Sequence, residues 1–158
     1  MNYLWIDVET TGLNEKKNDI IQLACIPIIN NIPQKPFNEF CQPLNWETVE
    51  QEALDIHGIT LEALKTFQSS QEMFSKFIDY ISSFDVKFTI AGFNVAFDKR
   101  FLSASFSKLS KNQDFSKLFT IDLHARTLDP EISMKLKLLI NNVLEEVNNQ
   151  EVSHELEN

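Results

Sequence analysis

This chain lacks the features of a membrane-spanning protein, a disulfide-stapled secreted scaffold or a tight polyanion binder. Its 158 residues contain no apolar run near the ~18 residues a membrane-spanning helix needs, and residues 1–4 do not begin a basic start followed by an apolar stretch. A soluble cytoplasmic protein is the expectation. The two cysteines, Cys25 and Cys41, fit no metal-ligand spacing and are too few to staple a small secreted fold, which leaves free buried thiols. Basic residues are outnumbered, 14 Lys and Arg against 23 Asp and Glu. The net charge of -9 argues against a tight binder whose affinity rests on neutralising phosphates. The deficit is uneven, since residues 99–137 hold eight basic and four acidic side chains, a balance of +4 that leaves -13 for the remainder. A phosphate backbone would approach that region, unless its lysines only solubilise helix faces.

What the chain does have is the patterning of about one α/β domain, long enough to bury a sizeable core and supplied with thirteen Phe residues to fill it. Tyr3, Leu4, Trp5 and Ile6 form an apolar run without alternation, which suits a central strand covered on both faces. Asp7 and Glu9 follow. With side chains alternating at period 2 they point to one side of the sheet, roughly 6 to 7 Å apart along the backbone. Thr10, Thr11 and Gly12 break the strand, so the pair lies at its carboxyl end, where ligands bind in open α/β sheets. Like charges held that close persist if one is protonated, if water reaches both, or if a cation sits between them. A solvated strand end is the plain alternative. A glycosidase pair fails, because two carboxylates on one strand leave no gap for a sugar ring.

Further along, residues 20–29 read as a second strand and Asn30-Asn31 as a hairpin turn. A third strand over residues 37–41 should sit at the sheet edge, because Pro33 and Pro36 lack the amide a ladder needs. Residues 45–55 are acidic and short of apolar periodicity, so no helix is expected there. Thr60 can cap a short helix, and Ser69-x-x-Glu72 is a capping box for a longer one with Met73, Phe74, Phe77, Ile78, Ile81 and Phe84 on one face. Val86, Phe88 and Ile90 alternate in a fourth strand that ends at Ala91-Gly92. On the helix that follows, Asn94 and Asp98 should share one face while Phe97, Phe101 and Ala104 form a separate apolar stripe. Residues 118–121 suit a fifth strand, and Asp122 suits a helix cap better than a metal ligand. Pro130 ends that helix, and Ser133 starts another whose Leu136, Leu139, Ile140, Val143, Leu144 and Val147 face the sheet.

The string Trp5-Ile6-Asp7-Val8-Glu9-Thr10-Thr11-Gly12-Leu13 resembles the first motif of the DEDD superfamily of 3′-to-5′ exonucleases, which includes proofreading polymerase subunits, ribonuclease T and oligoribonuclease. Phe93-Asn94-Val95-Ala96-Phe97-Asp98-Lys99-Arg100-Phe101-Leu102 resembles the second motif. Ile56-His57-Gly58-Ile59-Thr60 is similar to a loop of the proofreading members, and Glu151-Val152-Ser153-His154-Glu155-Leu156-Glu157-Asn158 to the start of the third motif in the branch that carries a His there.

The resemblance implies a ribonuclease H-like α/β fold, a mixed five-stranded sheet flanked by helices, with residues 1–158 as one exonuclease domain. It implies two Mg²⁺ or Mn²⁺ ions bridged by Asp7, with Glu9 on the water-side ion and Asp98 on the other side of the site. His154 would act as general base, while Thr10, Gly12 and Leu13 would lie against the last nucleotide, His57 near it, and Asn94 would bind substrate. The partners implied are single-stranded DNA or RNA 3′ ends and a polymerase subunit. The fourth carboxylate of that branch would fall one residue beyond Asn158, so the C-terminal end of the domain is expected to be incomplete and the 158-residue chain weakly active or inactive. The alternative is a catalytically silent domain of this fold that binds a polymerase or a nucleic-acid end without cutting.

Overall fold

The computed structural model of the chain describes residues 2–109 together with Ile121 and Asp122. Strand β1, Tyr3–Thr10, is central to the sheet. It pairs antiparallel with β2, Ile20–Ile29, and parallel with β5, Phe88–Ala91, in the register Tyr3 to Thr89 and Trp5 to Ala91. Leu4, Trp5 and Ile6 are all buried, as a strand covered on both faces requires. The β1–β2 ladder runs in register from Tyr3–Ile28 to Glu9–Gln22 and then slips, so that Thr10 faces Ile20. Such a bulge bends the strand and re-aims the residues beside it.

After β2, Asn30 and Asn31 both take left-handed φ, 52° and 65°. This is the geometry of a two-residue hairpin turn, which Asn tolerates better than most residues. The return strand differs from the single run expected at residues 37–41. It comes in two pieces, β3 (Ile32–Pro33) and β4 (Phe37–Phe40), both antiparallel to β2 on the same side. The register slips by one residue between them, around Pro36. A proline cannot donate to the ladder, and it breaks an edge strand at the point where the amide is missing. Counting β3 and β4 as one interrupted strand, the sheet has five positions, closed on the far side by β6, Ile121–Asp122, parallel to β5. The expected fifth strand is thus present at Ile121. Residues 118–120 lie outside the described residues, as do His124, the helix expected from Ser133 and the segment around His154.

The acidic segment departs further from expectation. A single 3₁₀ turn, Trp46–Thr48, leads into helix α1, Gln51–His57, where no helix was expected. Only Leu54 of α1 is buried, so there is no apolar stripe to read. Its end is set by Gly58, whose φ of 76° and N–H to the Leu54 carbonyl (2.8 Å) make a left-handed cap. His57 therefore closes a helix and does not sit in a loop.

Helix α2, Leu61–Thr66, is capped by Thr60, and helix α3, Ser70–Ser82, by the reciprocal Ser69–Glu72 box. Met73, Phe74, Phe77 and Ile81 of α3 share one core with Leu4, Ile6 and Val8, alternate residues of β1, and with Phe101 and Leu102 of the last described helix, α4 (Val95–Leu109). The fully buried rings Phe74, Phe77, Phe88 and Phe101 each contribute about 1.5–3 kcal/mol by leaving water. On α4 the buried stripe is Val95, Asp98, Phe101, Leu102, Ser105 and Leu109. Asp98 thus lies within the apolar face, whereas Phe97 and Ala104 are half-exposed at its margin and Asn94 is exposed before the helix begins. Cys25 and Cys41 are free and buried, and burial pushes the Cys41 thiol up to about 12. Among the described residues no helix is long and apolar enough to cross a membrane.

Candidate active site

The bulge at Glu9 and Thr10 marks where β1 leaves the sheet, and two groups of side chains gather there. On one side are the carboxylates. Asp7 is exposed and Glu9 half-buried, two residues apart on β1 and so on the same face. Asp98 comes from the first turn of α4, only 4% exposed, and its Oδ1 accepts the Val8 N–H at 3.2 Å. The chain can bring it there because of Gly92, between β5 and α4: a Cβ on that residue would lie 2.9 Å from the Ile6 carbonyl oxygen. The same Cβ would stand 3.8 Å from Asp98 Oδ2, so the β5–α4 turn runs directly beside the carboxylate.

Burial, and after it the charge of Asp7, push the Asp98 carboxyl up to about 7, with Glu9 adding to the rise and the Val8 N–H opposing it. A group in that position gains from a proton or from a cation. Three hard oxygen donors that repel one another, one of them desolvated, are the donor chemistry suited to Mg²⁺ or Mn²⁺. Among the described residues no three His, Cys, Asp or Glu side chains are drawn closely enough to cage an ion by themselves.

On the other side of the bulge is a small cavity of about 100 Å³ lined by Thr10, Gly12, Leu13, Glu50, Glu52, Ile56 and His57. Its walls are largely apolar, and Leu13 and Ile56 are each 77% exposed at it. Thr10 is buried and donates its hydroxyl to the Gly12 carbonyl at 2.7 Å. Thr11 is fully buried, and the backbone of Gly12 lies against Asn18: a Cβ on Gly12 would stand 2.4 Å from Asn18 Nδ2. His57 forms the far wall. Its Nε2 lies 3.2 Å from the Thr10 carbonyl and its Nδ1 accepts the Ile59 N–H at 3.2 Å, a pairing met by the neutral tautomer with its proton on Nε2. Burial lowers the His57 pKa and the Thr10 contact opposes the shift, which favours that neutral form.

The structure therefore gathers Thr10, Gly12, Leu13 and His57 around one cavity, and Asp98 beside Asp7 and Glu9. Asn94 stands exposed just before the helix, its carbonyl accepting the Phe97 N–H at 2.8 Å and the Asp98 N–H at 3.4 Å. His154 lies outside the described residues. Sequence reasoning missed Glu50, Glu52 and Ile56 because α1 was not expected. The available signal was Gly58, a glycine in the position that ends helices. Asn18, which shapes the loop from below, carried no sequence signal at all.

The profile of the exonuclease family (RNase_T) matches residues 4–155. The DNA polymerase III subunit epsilon of Buchnera aphidicola subsp. Baizongia pistaciae is 30% identical over 142 residues, covering 86% of this chain and 57% of that one. A DNA polymerase III of PolC type from Bacillus cereus is 28% identical over 131 residues, 82% of this chain and 9% of its own. The chain thus spans about half the length of the epsilon subunits it matches. Among solved structures, the metal-free form of an E. coli Exonuclease I complex with single-stranded DNA superposes at a TM-score of 0.62, with 21% identity, over 81% of this chain and 28% of that one. Exonuclease I from Methylocaldum szegediense gives 0.54 at 26% identity, over 66% and 23%. These likenesses share the mixed sheet with its flanking helices, the ribonuclease H-like arrangement. With the family profile running through nearly all of the sequence, across both the β1 carboxylates and α4, the chain belongs to the exonuclease family.

Proposed function

We propose that this chain is a metal-dependent 3′-to-5′ exonuclease domain, acting on single-stranded DNA or RNA ends and releasing nucleoside monophosphates. The observation that carries the reading is the buried Asp98 carboxyl, raised to about 7 beside Asp7 and Glu9, a short step from an apolar-walled cavity at the end of the same strand. Asp7, Glu9 and Asp98 would supply the carboxylate ligands for two Mg²⁺ or Mn²⁺ ions, the rest of each shell coming from water and substrate. When bound, such ions supply Lewis-acid stabilisation of the charge that develops on the phosphate and its leaving oxygen.

The chain's own residues do the rest. Gly12 and Leu13 receive the terminal nucleotide, with Thr10 and His57 behind them, through backbone and apolar contacts that do not read sequence. Asn94, at the start of α4, is assigned a contact to the substrate strand. His154 is assigned the proton of the attacking water. A polymerase is the partner that the epsilon and PolC relatives suggest, with a cytoplasmic location to match.

The test is a side-by-side digestion of short single-stranded DNA and RNA with Mg²⁺ or Mn²⁺, wild type against Asp7→Asn. The expected result is progressive but slow shortening from the 3′ end by wild type, in keeping with a domain short of its fourth carboxylate, with monophosphate release, and none by Asp7→Asn, with the variant still folded. Internal cuts, or equal shortening by both proteins, would overturn the reading. Wild type binding the oligonucleotide without cutting it would leave the silent binding domain in its place.

A further inference from the structure

The loop that lines the cavity is tied to α4 by an ion pair near the opposite end of that helix from Asp98. Asp19, at the entry to β2, is 2% exposed. Its Oδ1 receives Lys108 Nζ at 2.8 Å and its Oδ2 the Asn45 N–H at 2.8 Å. Its backbone exchanges two bonds with Thr11: the Thr11 N–H donates to the Asp19 carbonyl at 2.9 Å, and the Asp19 N–H to Thr11 Oγ1 at 2.9 Å. Lys108 Nζ also donates to the Asn18 carbonyl at 2.7 Å. The Asn18 side chain in turn donates to the Thr48 carbonyl (2.7 Å) and Glu50 Oε1 (3.1 Å) and accepts the Asn14 N–H (2.9 Å). Asn18 and Asp19 are thus a hub for the loop after β1, the approach to α1, and α4.

Lys108 lies ten residues beyond Asp98 on the same helix, roughly 15 Å along its axis. Helix α4 is therefore held at two points. Asp98 fixes one end to β1 through Val8, and Lys108 fixes the other to the hub against which Gly12 rests.

We infer that the Lys108–Asp19 pair is a positioning device that sets the place of the nucleotide-receiving loop, Thr11 to Leu13, relative to the helix that carries Asp98. The inference rests on the exonuclease reading for its substrate and not for its geometry. An ion pair with a buried carboxylate and a partly exposed lysine suits this task better than an apolar contact, because its bonds are directional and a slipped arrangement leaves Asp19 charged and unpaired.

The decisive variant is Asp19→Asn combined with Lys108→Met in the full chain. It removes both charges together, so no unpaired ion remains in the interior, and the amide oxygen of the replacement side chain can still accept the Asn45 N–H. The expected result is a melting temperature near that of wild type, with kcat/KM for 3′ shortening of single-stranded DNA lowered by about ten- to a hundredfold. The loss should fall mainly on KM. Its salt dependence should be unchanged, since Lys108 is neutralised by Asp19 and not by phosphate. Lys108→Arg, which can make the same bonds, should keep most of the activity. A double variant with wild-type KM and kcat overturns the inference and leaves the pair purely structural. A loss confined to kcat overturns it too, because the carboxylates would then be what the pair serves. Binding of a nucleoside monophosphate is measured alongside. A wild type that binds it without cutting DNA refutes the activity alone, and the positioning claim then stands only if the double variant binds about tenfold more weakly.

Discussion

The two sides of the β1 terminus are held by opposite means. The loop from Thr10 to Asn18 is closed on itself. Thr10, Thr11 and Asn18 are all buried, and each makes short hydrogen bonds to the loop or to its neighbours. The carboxylate side is held in tension: Asp98 is carried into the core by an apolar helix face and meets the negative charge of Asp7 and Glu9 there. A satisfied network gives a fixed surface. A tense one gives a place whose free energy falls sharply when a cation or proton arrives. On the proposed reading, recognition and chemistry ask opposite things of adjacent residues, and the bulge between Glu9 and Thr10 is where one regime gives way to the other.

The largest effect should come from releasing the tension with Asp98→Asn. Asn keeps an oxygen for the Val8 N–H and removes the charge, so cleavage should be abolished while the metal-free protein becomes more stable at pH 8. The sign follows from the raised pKa. The wild-type carboxyl favours folding fully only below its unfolded value near 4, and that contribution is lost as pH rises through about 7. The gap between variant and wild type should therefore open between those pH values and stay level above them, reaching about 2–4 kcal/mol. Melting curves in EDTA from pH 4 to pH 8 would read it directly. Parallel curves at every pH would show that Asp98 carries no such penalty.

Gly12→Ala should do the reverse, damaging the satisfied side and sparing the tense one. The new methyl would meet the Asn18 side chain at 2.4–2.6 Å, and Asn18 is held by too many partners to step aside. Overpacking of this kind costs about 1–3 kcal/mol. The measurement that separates the sides is the rise in melting temperature on adding Mn²⁺. It should match wild type in Gly12→Ala and vanish in Asp98→Asn. Loss of the Mn²⁺ response in Gly12→Ala would mean that the two sides are not separable.

How much of this could be read beforehand follows the same division. The carboxylates were legible only in part: period-2 spacing on a strand fixes Asp7 and Glu9 to one face, but what singled out that pair and Asp98 was the resemblance of residues 5–13 and 93–102 to the exonuclease motifs. The helix caps at Thr60 and Ser69 were legible because their signal is local. The cavity was not. Its far wall stands on α1, which buries one residue, Leu54, and so shows no periodicity, and its floor rests on Asn18, whose contacts reach Thr48 and Glu50 some thirty positions along the chain. The face of Asp98 was misjudged because a carboxylate in an apolar stripe runs against the ordinary burial of charge. That conflict between local pattern and burial is what the proposed site would produce.

The smallest effect should come from the two side chains that cost nothing to fold. Leu13 and Ile56 are each 77% exposed, so replacing either with Ser removes almost no buried apolar area and should leave melting within about 0.5 kcal/mol of wild type. If they close over the terminal nucleotide, each covers part of its apolar surface only in the complex. Full burial of such a side chain contributes about 1.5–3 kcal/mol, and partial coverage by a base about half of that. Leu13→Ser or Ile56→Ser should then raise KM by about three- to tenfold with kcat nearly unchanged, since neither touches the carboxylates. The same factor should appear for every terminal base, because an apolar contact does not read hydrogen-bond patterns. Steady-state kinetics on oligonucleotides that differ only in the 3′ base would test both points. An unchanged KM in both variants would place the nucleotide elsewhere, whereas a base-dependent rise would shift recognition to Glu50 and Glu52, the acidic members of the same lining.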